Sequence, residues 1–141
     1  MTLLESVPAS PLPGIQVVLD NVVYHYDPEN LPDDRPHAFI YFLTLTNLSD
    51  RPVIFLKRKW VITHAGGTKE IIEGDSIVGK KPLIEPGASW SFESYHIMAG
   101  NGHTVGSFHG ITADETPFYA EIPEFYMTIP RLPPEQEGST Q

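Results

Sequence analysis

The stretch Phe39-Ile40-Tyr41-Phe42-Leu43-Thr44-Leu45-Thr46-Asn47 decides how the chain folds. Tyr41, Leu43 and Leu45 share one parity and Thr44 and Thr46 the other, so an extended strand buries one face and wets its opposite. Period two is the signature of a strand, and no window of the chain gives a helical stripe.

Working outward, the same alternation recurs between clusters of Gly, Pro, Asn and Asp. Upstream, Ile15 to Tyr26 reads as a strand, joined through Asp27-Pro28-Glu29-Asn30-Leu31-Pro32-Asp33-Asp34-Arg35-Pro36, a loop that prolines and acids keep in solvent. Downstream, Asn47 to Pro52 turns the chain into Val53 to His64, where Ile54, Leu56, Trp60 and Ile62 take one side and Lys57 and Lys59 the other. Gly66-Gly67 reverses it into Lys69 to Ile72. After a loop from Gly74 to Gly79, Pro82 to Ile84 and the turn Glu85-Pro86-Gly87 lead to a strand with Trp90 and Phe92 inward.

Thr104 to Ile111 and Phe118 to Ile129 complete the set. Phe118, Ala120 and Ile122 keep one parity and Phe125, Met127 and Ile129 the opposite one, which predicts a bulge or break at Pro123-Glu124. About seven strands with hairpin-scale turns imply an all-β domain of two packed sheets, the immunoglobulin or fibronectin III type of sandwich. The domain is expected over residues 15–131, with proline-rich and polar tails at 1–14 and 132–141 read as flexible.

Composition sets the classes of function. The chain's 141 residues suit one domain, and 40% hydrophobic residues suffice for a core. The absence of cysteine excludes disulfides, thiolate metal sites and cysteine nucleophiles. No run approaches the roughly 20 apolar residues of a membrane-spanning helix, and Glu5 and three prolines stand where a signal peptide would be basic and then apolar, so membrane insertion is not expected and a cytoplasmic location is.

A formal charge of −9 argues against nucleic acid as a partner, because phosphate binding needs clustered Lys and Arg. The charge is unevenly spread. Between Arg51 and Lys81 lie seven of the nine basic residues and three acids, so this stretch carries +4 and the remainder −13, which predicts a local basic face.

In this stretch Lys57-Arg58-Lys59-Trp60-Val61-Ile62-Thr63, Glu73-Gly74-Asp75-Ser76-Ile77-Val78-Gly79 and Pro82-Leu83-Ile84-Glu85-Pro86-Gly87 follow in order. Gly106-Ser107-Phe108, Thr116-Pro117-Phe118 and Glu121-Ile122-Pro123-Glu124-Phe125 come after them. These motifs resemble the ApaG family over residues 15–131. The resemblance implies a fibronectin III-like sandwich, found alone in bacteria with a name linked to cobalt and magnesium efflux, and as a domain of F-box and polymerase-delta-interacting proteins, where it implies a recognition role.

The family's Gly-x-Gly-x-x-Gly stretch invites a nucleotide-binding reading. Here it reads Gly74, Ser76 and Gly79, so serine replaces the central glycine that would let backbone approach a pyrophosphate. Lys80-Lys81-Pro82 follows, where the dinucleotide motif needs a helix N-terminus. The loop reads first as a hairpin connection. Its alternative use is a small-anion or nucleotide-phosphate site built on Gly74, Ser76, Gly79, Lys80 and Lys81, with Lys57, Arg58 and Lys59 across the sheet.

Arg58 is the residue to single out. By strict alternation it points the same way as Trp60, so either a bulge reorients it or its guanidinium is paired at the edge of the core. A paired guanidinium is either a structural bond or the polar floor of a binding cleft.

The six histidines (His25, His37, His64, His96, His103 and His109) show no metal-ligand spacing, and His103 and His109 lie about 20 Å apart along an extended strand. No Gly-x-Ser-x-Gly is present, and Asp33-Asp34 and Asp114-Glu115 read as solubilising turns. No catalytic residue, metal site or cofactor is assigned. The reading that results is a non-enzymatic binding module for a protein partner, using sheet edges, end loops and aromatics such as Tyr95, Tyr119 and Tyr126. An exposed edge also offers homodimerisation, and a divalent-metal responder is the second alternative.

Overall fold

The computed structural model describes residues 9–131. The tails expected at 1–14 and 132–141 lie outside these residues except for positions 9–14. Nine strands run in chain order: β1 (Ser10–Pro11), β2 (Ile15–Tyr26), β3 (His37–Asn47), β4 (Val53–His64), β5 (Lys69–Asp75), β6 (Leu83–Ile84), β7 (Ser89–Met98), β8 (Gly102–Thr112) and β9 (Pro117–Met127). Two have only two residues each, which leaves the seven longer strands that the alternation predicts.

A large sheet is ordered β1-β9-β8-β4-β5, with β6 also pairing β4, and a small sheet is ordered β2-β3-β7. Packed face to face, they form the immunoglobulin and fibronectin III-like sandwich, and every longer pairing is antiparallel. The short β1 pairs in parallel with β9 (Ser10 with Phe118), so the sandwich takes in part of the stretch expected as a tail.

The core fills the space between the sheets. Tyr41, Leu43 and Leu45 of β3 are buried, as their parity predicts. They meet Trp60, Ile62, Phe108, Phe118, Met98 and Met127, each a large side chain worth about 1.5–3 kcal/mol on full burial. Trp60 has room because Gly106 faces it from β8: a Cβ there would stand 2.7 Å from Trp60 Cε3.

Two parity changes shape the large sheet. Along β9, Phe118, Ala120 and Ile122 are buried, then Phe125 and Met127, with Pro123 and Glu124 exposed between them, and the β8–β9 register shifts at Thr104/Gly106. The predicted break is there. Along β4 the expectation needs correcting, since Val53 and Phe55 are buried instead of Ile54 and Leu56. A register shift between Phe55 and Lys57 rephases the strand, so the inward set becomes Val53, Phe55, Arg58, Trp60 and Ile62.

Asn47 staples the turn after β3. It is 0% exposed, its Nδ2 donates to the carbonyls of Arg51 (2.8 Å) and Ile84 (2.9 Å), and its Oδ1 accepts from the Ser49 amide (2.9 Å) and hydroxyl (2.6 Å). A polar side chain is tolerated at full burial because all of this capacity is used.

Candidate functional site

Arg58 reaches inward from β4 beside Trp60, and the bulge between Phe55 and Lys57 just before it leaves the two in phase. Its partners are backbone carbonyls: Nη1 donates to Asp75 O (2.7 Å) and Ser76 O (3.0 Å), where β5 ends. Gly74 makes this possible, because a Cβ there would lie 2.8 Å from Nη2 and 2.9 Å from Nη1. Among the described residues no carboxylate lies within ion-pair distance of Arg58.

The guanidinium lines a cavity of about 210 Å³ between the sheets, together with Tyr41, Ser94, Ser76, Trp60 and Phe92 among others. Burial raises the Tyr41 phenol above its usual pKa, against smaller opposing effects of the Ser94 hydroxyl and the Arg58 charge. The phenol therefore stays protonated and able to donate.

The loop after β5 closes one wall. Ile77 and Lys80 exchange two backbone hydrogen bonds (2.7 and 3.0 Å) around Val78 and Gly79, both at positive φ (51° and 76°), which is a two-residue hairpin of type I′ sense. Ser76 is also left-handed (φ 69°), whereas Gly74 is not, so glycine at 74 serves the approach of Arg58 and not the turn. Ile77, 1% exposed, plugs the loop into the core.

Of the residues assigned to an anion site, Arg58, Ser76 and Gly79 line this cavity and Gly74 packs on the guanidinium. Lys80 and Lys81 are exposed and outside its lining, and no helix follows the loop. The expected basic face is not assembled. Alternation sends Arg58 inward and Lys57 and Lys59 outward, where Asp75 and Glu73 face them across β4–β5, with Lys59 Nζ 3.9 Å from Glu73 Oε1. Arg51 turns to Asp50 and Asp114.

The histidines are dispersed among different partners. Tyr24 meets His37 (2.7 Å), Glu70 meets His64 (2.8 Å), Glu124 meets His103 (2.8 Å), Ser107 meets His109 (2.9 Å), and Asp27 stands 3.5 Å from His25. His96 is buried against Trp60, Tyr41 and Phe125. Among the described residues, no three of His, Cys, Asp and Glu are grouped to hold a metal ion.

A second feature lies on the outer side of the small sheet, and composition gave no hint of it. Register places Val23, Ile40 and Tyr95 in one row across β2, β3 and β7, and Asn21, Phe42 and Glu93 in the next. Val23 and Tyr95 are 40% and 58% exposed, with Ile40 and Phe42 half-buried. Farther along, the face turns polar, with Asp20, Thr44 and Ser91 hydrogen-bonded in a chain. Val23, Ile40, Tyr95 and Phe42 thus lie between Glu93 and the acidic loop after β2, which carries Asp27, Glu29, Asp33 and Asp34. Of the other aromatics singled out, Tyr126 is exposed and packs tilted against His103, while Tyr119 is half-buried beside His109, both on the large sheet.

Two antiparallel sheets packed face to face in this order make the chain a fibronectin III-like sandwich domain. The family model described as ApaG domain matches residues 28–112, and the chain belongs to the ApaG family. Protein ApaG of Bdellovibrio bacteriovorus is 35% identical over 120 residues, covering 84% of this chain and 93% of that one. Protein ApaG of Escherichia coli is 32% identical over 109 residues, covering 77% and 87%. The crystal structure of a Bordetella pertussis protein described as ApaA has a TM-score of 0.68 at 27% identity, over 89% of this chain and all (100%) of that one. A structural-genomics crystal structure with a TM-score of 0.75 at 23% identity, over 86% and 93%, shares the fold.

Proposed function

We propose that the chain is a non-enzymatic recognition domain that binds a protein partner through the outer face of the small sheet. The observation that carries this reading is the apolar row Val23-Ile40-Tyr95 with Phe42 beside it, left uncovered among the described residues on a face whose other half is polar. Contiguous exposed apolar surface is costly and marks interaction sites. Glu93 at one border and the acidic loop at the other favour a partner segment in which Lys or Arg alternates with aliphatic or aromatic residues, as does the net charge of −9.

On this reading the domain works in the cytoplasm. No helix among the described residues is long and apolar enough to cross a membrane. The family's association with cobalt and magnesium efflux is then exercised by binding a protein of that process. Nucleotide binding by the Gly74–Lys81 loop has one observation in its favour, the guanidinium behind it, but Lys80 and Lys81 stand apart from that cavity. A divalent-metal responder draws no support from the dispersed histidines.

Selection of a displayed random-peptide library on the intact protein tests the reading. Binders are expected to be rich in Lys or Arg interleaved with apolar residues, and to lose at least tenfold affinity for a Val23→Asp, Tyr95→Asp protein. Binders indifferent to these changes would place recognition elsewhere. Dimerisation through the same face would show as a concentration-dependent mass that the double variant abolishes.

A further inference from the structure

The cavity between the sheets holds a cation with no carboxylate within ion-pair distance among the described residues; Asp75, which also lines it, meets Arg58 through its backbone carbonyl. Arg58 is half-buried, Nη1 is taken up by two carbonyls, and among the described residues neither Nη2 nor Nε has a hydrogen-bond partner. Carbonyl oxygens are dipoles, so they orient the guanidinium without cancelling its charge. Leaving a partly desolvated charge unneutralised is unfavourable, and the usual remedy is an anion placed against the free donors of the planar fork.

The surroundings suit such an anion. Tyr41, Ser94 and Ser76 line the space with hydroxyls able to donate, and Trp60 and Phe92 supply apolar parts of its wall. Low local polarity strengthens a charge-assisted bond. About 210 Å³ gives room for one carboxylate or phosphate group. Gly74 leaves the guanidinium its place, and the strained left-handed turn at Val78 keeps the loop over the opening.

We propose that this cavity is a binding site for a single oxyanion group, a carboxylate or a phosphate, held by the Arg58 guanidinium with Tyr41 and Ser94. The site lies on the inner side of β3 and the proposed protein-binding face on its outer side, so either can fail alone.

The full-length protein, followed by NMR at the Arg58 Nε–H cross-peak and the amides of residues 76–79, is titrated at constant ionic strength. Three probes are used: inorganic phosphate, acetate, and a capped Gly-Glu-Gly peptide. Saturable movement of the Arg58 signal is expected with at least one probe. In Arg58→Lys, which keeps the charge and loses the fork, affinity is expected to fall at least tenfold, and in Tyr41→Phe severalfold. Saturation by phosphate or acetate alone identifies a free anion, and saturation by the peptide identifies an acidic side chain of a partner. A wild-type Arg58 signal unmoved by all three probes, with the fold intact, overturns the proposal. So does linear, unsaturated drift that is the same in Arg58→Lys. Should Arg58→Lys not fold, the wild-type signal and Tyr41→Phe decide.

Discussion

The imidazole of His96 meets the Trp60 indole edge to face, with ring centroids 4.7 Å apart and an interplanar angle of 86°, inside the core. Its Nε2 is buried and has no hydrogen-bond partner among the described residues. Burial lowers the His96 pKa from 6.5 to about 4, so the ring of the folded domain is neutral at pH 7. Between those values the unfolded chain binds a proton that the folded chain does not. Stability is complete above about pH 6.5 and is expected to fall by up to about 3 kcal/mol as pH drops toward 4. Urea midpoints measured at half-unit pH steps check this, and His96→Phe should flatten the slope in that window.

Asn47 donates to two carbonyls at full burial, and Asn47→Asp keeps its shape while replacing those donors with an acceptor. A loss of about 3 kcal/mol or more is expected at pH 7, smaller at a pH low enough to protonate the new carboxyl. Chemical denaturation at the two pH values measures both effects.

Val78 sits at φ 51° with 51% of its surface exposed. A β-branched residue is strained there and asparagine is at ease, so Val78→Asn should stabilise the domain by about 1 kcal/mol. A thermal melt that moves down instead would show that the Val78 side chain contributes packing that outweighs the strain.

Gly74→Ala would put a methyl within 3.0 Å of the Arg58 guanidinium while leaving the β5 backbone undisturbed. The expected cost is about 1–3 kcal/mol. A displaced Arg58 Nε–H signal beside unchanged β4–β5 amides would locate the damage. An unchanged melt would mean that the guanidinium moves aside freely.

The legible parts of this fold were those where one face is apolar and its opposite is not. Tyr41, Leu43 and Leu45 against Thr44 and Thr46 left a single register, and the proline at 123 announced the change of parity in β9. In β4, Ile54, Phe55 and Leu56 are all apolar, so alternation alone could not locate the bulge that rephases them. The inward direction of Arg58 followed from its spacing to Trp60. Its carbonyl partners did not, since Asp75 and Ser76 reach it only through the β4–β5 pairing. Asn47 read as a turn residue because its acceptor at Ile84 arrives by way of the strand order. His96 reads from the sequence as no more than one of six scattered histidines, since nothing local to it tells of the ring stack around it.

The alternation along β3 also fixes how a mutational map of this protein should look. Tyr41 faces the guanidinium and its neighbours Ile40 and Phe42 face the opposite way, one peptide unit removed. A substitution scan through positions 39–46 should therefore return two interleaved profiles. Odd positions would report on the interior and its cavity, and even positions on what the outside of the domain touches. Separating them by parity would let one strand serve as its own control.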